Sequence, residues 1–117
     1  WYQGLADILA GRYRHAEGSL TAAESAAGRE FGMNHPRTML ISFDKKMSAL
    51  LQQPEDTEAV MKHVNEAEKV VQSLSVSLGD GHPTVEKARS IANFLRKDPS
   101  ALKKIDTARE RGRLILH

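Results

Sequence analysis

The side chains best placed to bind a ligand are Arg89, Asn93 and Arg96, which fall one turn apart on one predicted helix face. Guanidinium forks and an amide at that spacing can hold a carboxylate, either an acidic side chain or the end of a peptide. Lys45 and Lys46, on an earlier predicted helix, would add positive charge. The competing reading of all five residues is ordinary solvent-facing polarity. Other chemistry has less support. With no cysteines, disulfide scaffolds, zinc fingers and cysteine nucleophiles are excluded. The five histidines are His15, His35, His63, His82 and His117, and no two share a helical turn as metal ligands would. Serine and aspartate are common, yet there is no nucleophile elbow, phosphate-cradling loop or HExxH motif. Glu66 and Glu68 point to different helix faces and cannot act as a paired acid and base. Gly79-Asp80-Gly81 reads as a turn and not as a nucleotide loop. The residues therefore point to a binding surface without enzymatic activity, cofactor or metal.

Composition agrees with a folded helical chain. Of 117 residues, 40% are apolar and 27% charged, which disfavours wholesale disorder. Aromatics reach only 5%, while Ala and Leu, which lose little freedom in helices, are plentiful. No apolar run approaches a membrane span and no secretory signal opens the sequence, so a cytoplasmic protein is expected. The first residue is Trp1 and helical pattern begins almost at once, which implies a segment of a larger protein. Net charge is +2, but residues 96–117 carry seven basic against three acidic side chains. That end offers Lys103, Lys104, Arg109, Arg111 and Arg113 to a nucleic acid or other polyanion. Aromatics for base stacking are missing there, and Asp106 and Glu110 dilute the charge.

The elements that position these residues follow from an internal repetition. Phe31-Gly32-Met33-Asn34-His35-Pro36-Arg37-Thr38 and Leu78-Gly79-Asp80-Gly81-His82-Pro83-Thr84 share an apolar residue, Gly, His-Pro and Thr, and His35 and His82 lie 47 residues apart. Glycine just past a helix end permits the required C-cap, and proline suits the first turn of the next helix. Before the second joint, Val60, Val64, Ala67, Val71, Leu74 and Leu78 form a helical stripe. The 47-residue offset lays Val60 over Tyr13, Ala67 over Leu20, Leu74 over Ala27 and Leu78 over Phe31. Met39, Phe43, Met47 and Leu50 make a further stripe, broken at residues 52–57, where Asp56 or Thr57 can cap the next helix. Val85, Ala88, Ala92 and Leu95 continue the pattern. Asp98-Pro99 then signals another start, with Leu102, Ile105, Ala108 and Ile115 facing inward.

The pattern predicts an all-α domain of six helices, at about 2–10, 13–31, 36–52, 57–79, 83–96 and 99–115. Short connections would pair them as three antiparallel hairpins, about 1–33, 35–79 and 82–117.

Gly4-x6-Gly11-x-Tyr13-x2-Ala16-x3-Leu20-x2-Ala23 resembles the tetratricopeptide signature. Together with His35-Pro36, it is similar to the longer kinesin-light-chain-type repeat. Gln3 and Asp7 depart from the pattern at positions that are usually apolar or aromatic, and the second hairpin lacks Gly-x-Tyr. The resemblance implies a right-handed stack whose first helices line a concave groove, acting as a scaffold or sensor that binds a peptide or partner protein. Arg89, Asn93 and Arg96 resemble carboxylate-gripping positions of such grooves. Trp1, Leu5 and Ile8 would make the other groove end apolar, and apolar repeat ends left exposed would favour homo-oligomers.

Overall fold

A few glycine, proline and capping side chains set the helix boundaries. The computed structural model describes residues 2–105 and 110–112 and is helical throughout its regular elements. Helices α1 (Tyr2–Leu9), α2 (Tyr13–Phe31), α3 (Pro36–Gln52), α4 (Thr57–Leu78) and α5 (Pro83–Lys97) are followed by a 3-10 turn at Leu102–Lys104. Among the described residues there is no strand. Each α-helix packs chiefly on its neighbours in sequence.

The two joints share one geometry. Gly32 closes α2 with φ 93° and ψ 158°, and Gly79 closes α4 with φ 95° and ψ 147°. A Cβ is strained in that region, so glycine is required there. The Gly32 N–H donates to Gly28 O and the Gly79 N–H to Ser75 O. His35 and His82 then cap α3 and α5, each followed by proline in the first turn. Asp56 caps α4, its carboxylate accepting from the Ala59 N–H at 3.1 Å.

The stripes meet in one core. Val60, Ala67 and Leu74 are fully buried, as is Leu20, while Tyr13 and Ala27 are nearly so. Helices α1 and α2 approach closely because Gly4 has no side chain: a Cβ there would lie 2.6 Å from Leu20 Cγ. The departure at Asp7 has a local compensation. Asp7 is buried, and its Oδ1 accepts from Gln3 Nε2 at 3.1 Å and from Arg12 Nε and Nη2 at 3.1 and 3.0 Å. A buried carboxylate needs such donors to offset its lost hydration. Ile8 belongs to this core and not to a groove, Leu5 packs partly buried against it, and Trp1 lies outside the described residues.

Helix α3 lies between α2 and α4, and only Arg37 of its residues is exposed. Shifting by 47 residues turns Met39, Phe43, Met47 and Leu50 of α3 into Glu86, Ser90, Phe94 and Lys97 of α5. The first four are buried and the second four exposed. The outer face of α5 is thus polar where the matching face of α3 is apolar, leaving Phe94 at 45% exposure.

Where a single sixth helix was expected at 99–115, the described residues show a 3-10 turn at Leu102–Lys104, extended Ile105 and helical residues 110–112. Asp98 ends α5 instead of starting a helix, with φ −137° and ψ 80°. Pro99 disfavours helical backbone in the residue before it, and the turn that follows yields one 3-10 turn ending at extended Ile105. Of the expected inward stripe, Leu102 is fully buried and Ile105 partly so. The carbonyls of Leu102 and Ile105 accept from Arg111 Nε at 2.9 and 3.0 Å. Gly112, in helical residues 110–112, fits against the Ile8 carbonyl, so this segment crosses back to α1. Ala108 and Ile115 lie outside the described residues. The radius of gyration, 13.3 Å, equals the value of about 13 Å expected for a compact domain of this length.

Candidate interaction site

A cleft of about 460 Å³ opens between α4 and α5. Val71, Val76 and Ala92 give it an apolar strip, and Glu68, Asp80, Arg89 and Asn93 supply polar walls. Leu74 is buried in the core, whereas Val71, Gln72, Ser75 and Val76 of α4 lie along the cleft. Arg89 and Asn93 therefore come together as their spacing implied. The cleft lies between the consecutive helices α4 and α5, whereas the resemblance pointed to a groove along alternate helices.

The remaining candidates are drawn into internal contacts. Arg96 does not line the cleft. Its Nε and Nη2 hold the Glu68 carboxylate at 2.5 and 2.8 Å, and Nη2 also reaches Asn65 Oδ1 at 2.5 Å. The Glu68 hydrogen bond is the largest cause raising the Arg96 pKa, with partial desolvation opposing and the Glu68 charge adding. Lys45 pairs with Glu24 of α2 at 3.4 Å, and Lys46 pairs with Glu66 of α4 at 3.6 Å. These lysines tie α3 to the helices on its two sides, and neither lines the cleft. Arg89 is less committed. Its pair with Asp80 at 3.2 Å joins side chains 41% and 82% exposed, and such pairs contribute about 0–1 kcal/mol.

The histidines divide by position. His35 and His82 are exposed caps, and His15 is exposed. His63 is partly buried, and its Nδ1 lacks a hydrogen-bond partner among the described residues. His117 lies outside the described residues. No group of three or more His, Asp or Glu able to hold a metal occurs among the described residues. Of the basic C-terminal residues, Lys103 and Lys104 are exposed, Lys104 pairs with Asp98 at 3.4 Å, and Arg111 turns inward. Arg109 and Arg113 lie outside the described residues.

Sequence reasoning missed Lys69, which lines a second, smaller cavity beside the α2–α3 turn. It lies off the apolar stripe of α4, and periodicity alone cannot separate a cavity rim from ordinary surface. No described helix is long and apolar enough to cross a membrane. Comparison with protein-family models, curated proteins and solved structures found no match for this chain.

Proposed function

We propose that this chain is a protein-interaction module built from tetratricopeptide-like helical pairs, and that the α4–α5 cleft takes an acidic segment of a peptide or partner protein. The observation that carries this reading is Arg89 beside Asn93 on one cleft wall, facing apolar Val71 and Val76. Arg89 holds only a largely exposed carboxylate, so a ligand carboxylate can replace Asp80 at small cost. The Asn93 amide can add a donor. Arg96 would act indirectly, by fixing Glu68. Lys45 and Lys46 would serve the stack and not the ligand. A cytoplasmic scaffold or sensor belongs to the same reading.

The test is fluorescence polarisation against an array of labelled acidic peptides, each paired with a twin in which Asp or Glu is replaced by its amide. Wild-type protein should prefer acidic members, and Arg89→Glu should abolish that preference while leaving the helical circular dichroism unchanged. Equal responses to both twins, or an Arg89→Glu protein that binds as wild type does, would discard the proposal.

Phe94 favours a second reading, self-association through the outer face of α5, because a large apolar side chain 45% exposed is a natural contact point. Sedimentation across a concentration series, with Phe94→Ser as comparison, separates the two. The polyanion alternative is weakened by the inward turn of Arg111.

A further inference from the structure

The second cavity, of about 240 Å³, lies between the α2–α3 turn, α3 and α4. Its apolar lining is Met33, Met39 and Val70, with Lys69, Ser42 and Ser73 at the rim. Met39 is 8% exposed, whereas Met33 is 62% exposed and forms an outer wall. The Met33 sulfur occupies space that Gly28 leaves open, since a Cβ on Gly28 would sit 2.6 Å from it. A methionine held against glycine can swing without disturbing a packed helix face, and its unbranched thioether adapts to varied shapes.

Charge distinguishes this cavity from the α4–α5 cleft. The cleft carries its own acids, Glu68 and Asp80. The second cavity has no acidic residue in its lining. Lys69 is exposed and makes no ion pair among the described residues. Glu66, one turn earlier on α4, is held by Lys46 of α3 at 3.6 Å. An unneutralised ammonium beside a methionine-lined hollow matches a ligand that joins an apolar side chain to a carboxylate.

We propose that this cavity is a separate recognition point for a peptide carrying an aliphatic side chain next to a carboxylate. The aliphatic group would seat between Met33 and Met39, and the carboxylate would meet Lys69. With one ammonium at the rim, the carboxylate is that of an aspartate side chain following the aliphatic residue.

The test uses protein labelled with 13C at the four methionine methyls, titrated with three short capped peptides. One contains leucine followed by aspartate, one ends in leucine with a free carboxylate, and one contains leucine followed by asparagine. The leucine–aspartate peptide should shift the Met33 and Met39 methyls saturably while the buried Met47 methyl stays fixed. A response to the free-carboxylate peptide alone would overturn the aspartate assignment. Lys69→Glu should weaken that binding about fivefold or more, the scale of one rim charge contact. Gly28→Val, which displaces Met33, should also weaken it. Arg89→Glu should leave it unchanged, so this result stands apart from the fate of the α4–α5 cleft. An equal response to the asparagine peptide, shifts confined to residues around Arg89, or no saturable shift at Met33 and Met39 would each overturn the proposal.

Discussion

His35 and His82, 47 residues apart, make the same bond in the same place. His35 Nδ1 accepts from the Arg37 N–H at 3.1 Å, and His82 Nδ1 accepts from the Thr84 N–H at 3.2 Å. Each caps a helix whose first residue is proline and follows a glycine of positive φ. The repeat is therefore one of hydrogen bonding as well as of residue type. Phe31 stacks on His35 at 4.8 Å between ring centroids, and Leu78 is its counterpart before the second joint.

Removing either cap should cost a similar amount. His35→Ala and His82→Ala are each expected to lower stability by about 0.5–2 kcal/mol, the usual loss for an N-cap acceptor. Urea denaturation of both single variants and the double variant checks this. The joints are separate in sequence and share no hydrogen bond, so the losses should add.

The approach of α1 to α2 depends on Gly4. Gly4→Ala improves helix propensity by about 1 kcal/mol but drives a methyl into Leu20, which is fully buried and has little room to move. The net result should be a loss of up to about 2 kcal/mol, since overpacking costs about 1–3 kcal/mol. A thermal midpoint equal to or above wild type would show that α1 shifts freely along α2.

Leu74 is fully buried, while Val76 on the same helix is 84% exposed. Leu74→Asp should unfold the domain, because an unpaired carboxylate in the core costs several kcal/mol against a total of about 5–15 kcal/mol. Val76→Asp should change stability by less than about 1 kcal/mol. Far-ultraviolet circular dichroism distinguishes the two directly.

Burial raises the pKa of the Tyr13 hydroxyl, with the backbone hydrogen bond from Gly112 and the Arg111 charge opposing. The folded state therefore favours neutral tyrosine. Its contribution is fully present below the ordinary tyrosine value of about 10 and is lost as pH rises through the raised folded value. Urea midpoints should fall above pH about 10, and Tyr13→Phe should fall less steeply over the same range. At neutral pH that variant should lose about 0.5–1.5 kcal/mol with the Gly112 bond. Parallel alkaline curves for the two proteins would contradict the role of Tyr13.

The sequence showed helices wherever a local rule governed them. The starts at Pro36, Thr57 and Pro83 and the glycine stops at Gly32 and Gly79 come from bonds within a few residues, so spacing and residue type were enough. The apolar stripes likewise named the core, because burial of Val60, Ala67 and Leu74 follows from helical periodicity. Asp98-Pro99 was legible as a signal but not in its outcome, since proline before a helix and proline after one leave the same mark. The candidate site was half legible. Arg89 and Asn93 share a cleft, but spacing gave no sign that Arg96, Lys45 and Lys46 would find acids on neighbouring helices.

By itself, the sequence determined an all-α chain, its five α-helices up to residue 97, the duplicated glycine–histidine–proline joints and the residues of their stripes that face inward. Those properties depend on contacts along a single helix or turn. Only the tertiary structure decided which cations remain available, where the cleft and the cavity open, and that Arg111 and Gly112 return to the early part of the chain. Such facts depend on meetings between residues far apart in sequence, such as Lys46 with Glu66 and Arg96 with Glu68, and those meetings are fixed by how the helices pack.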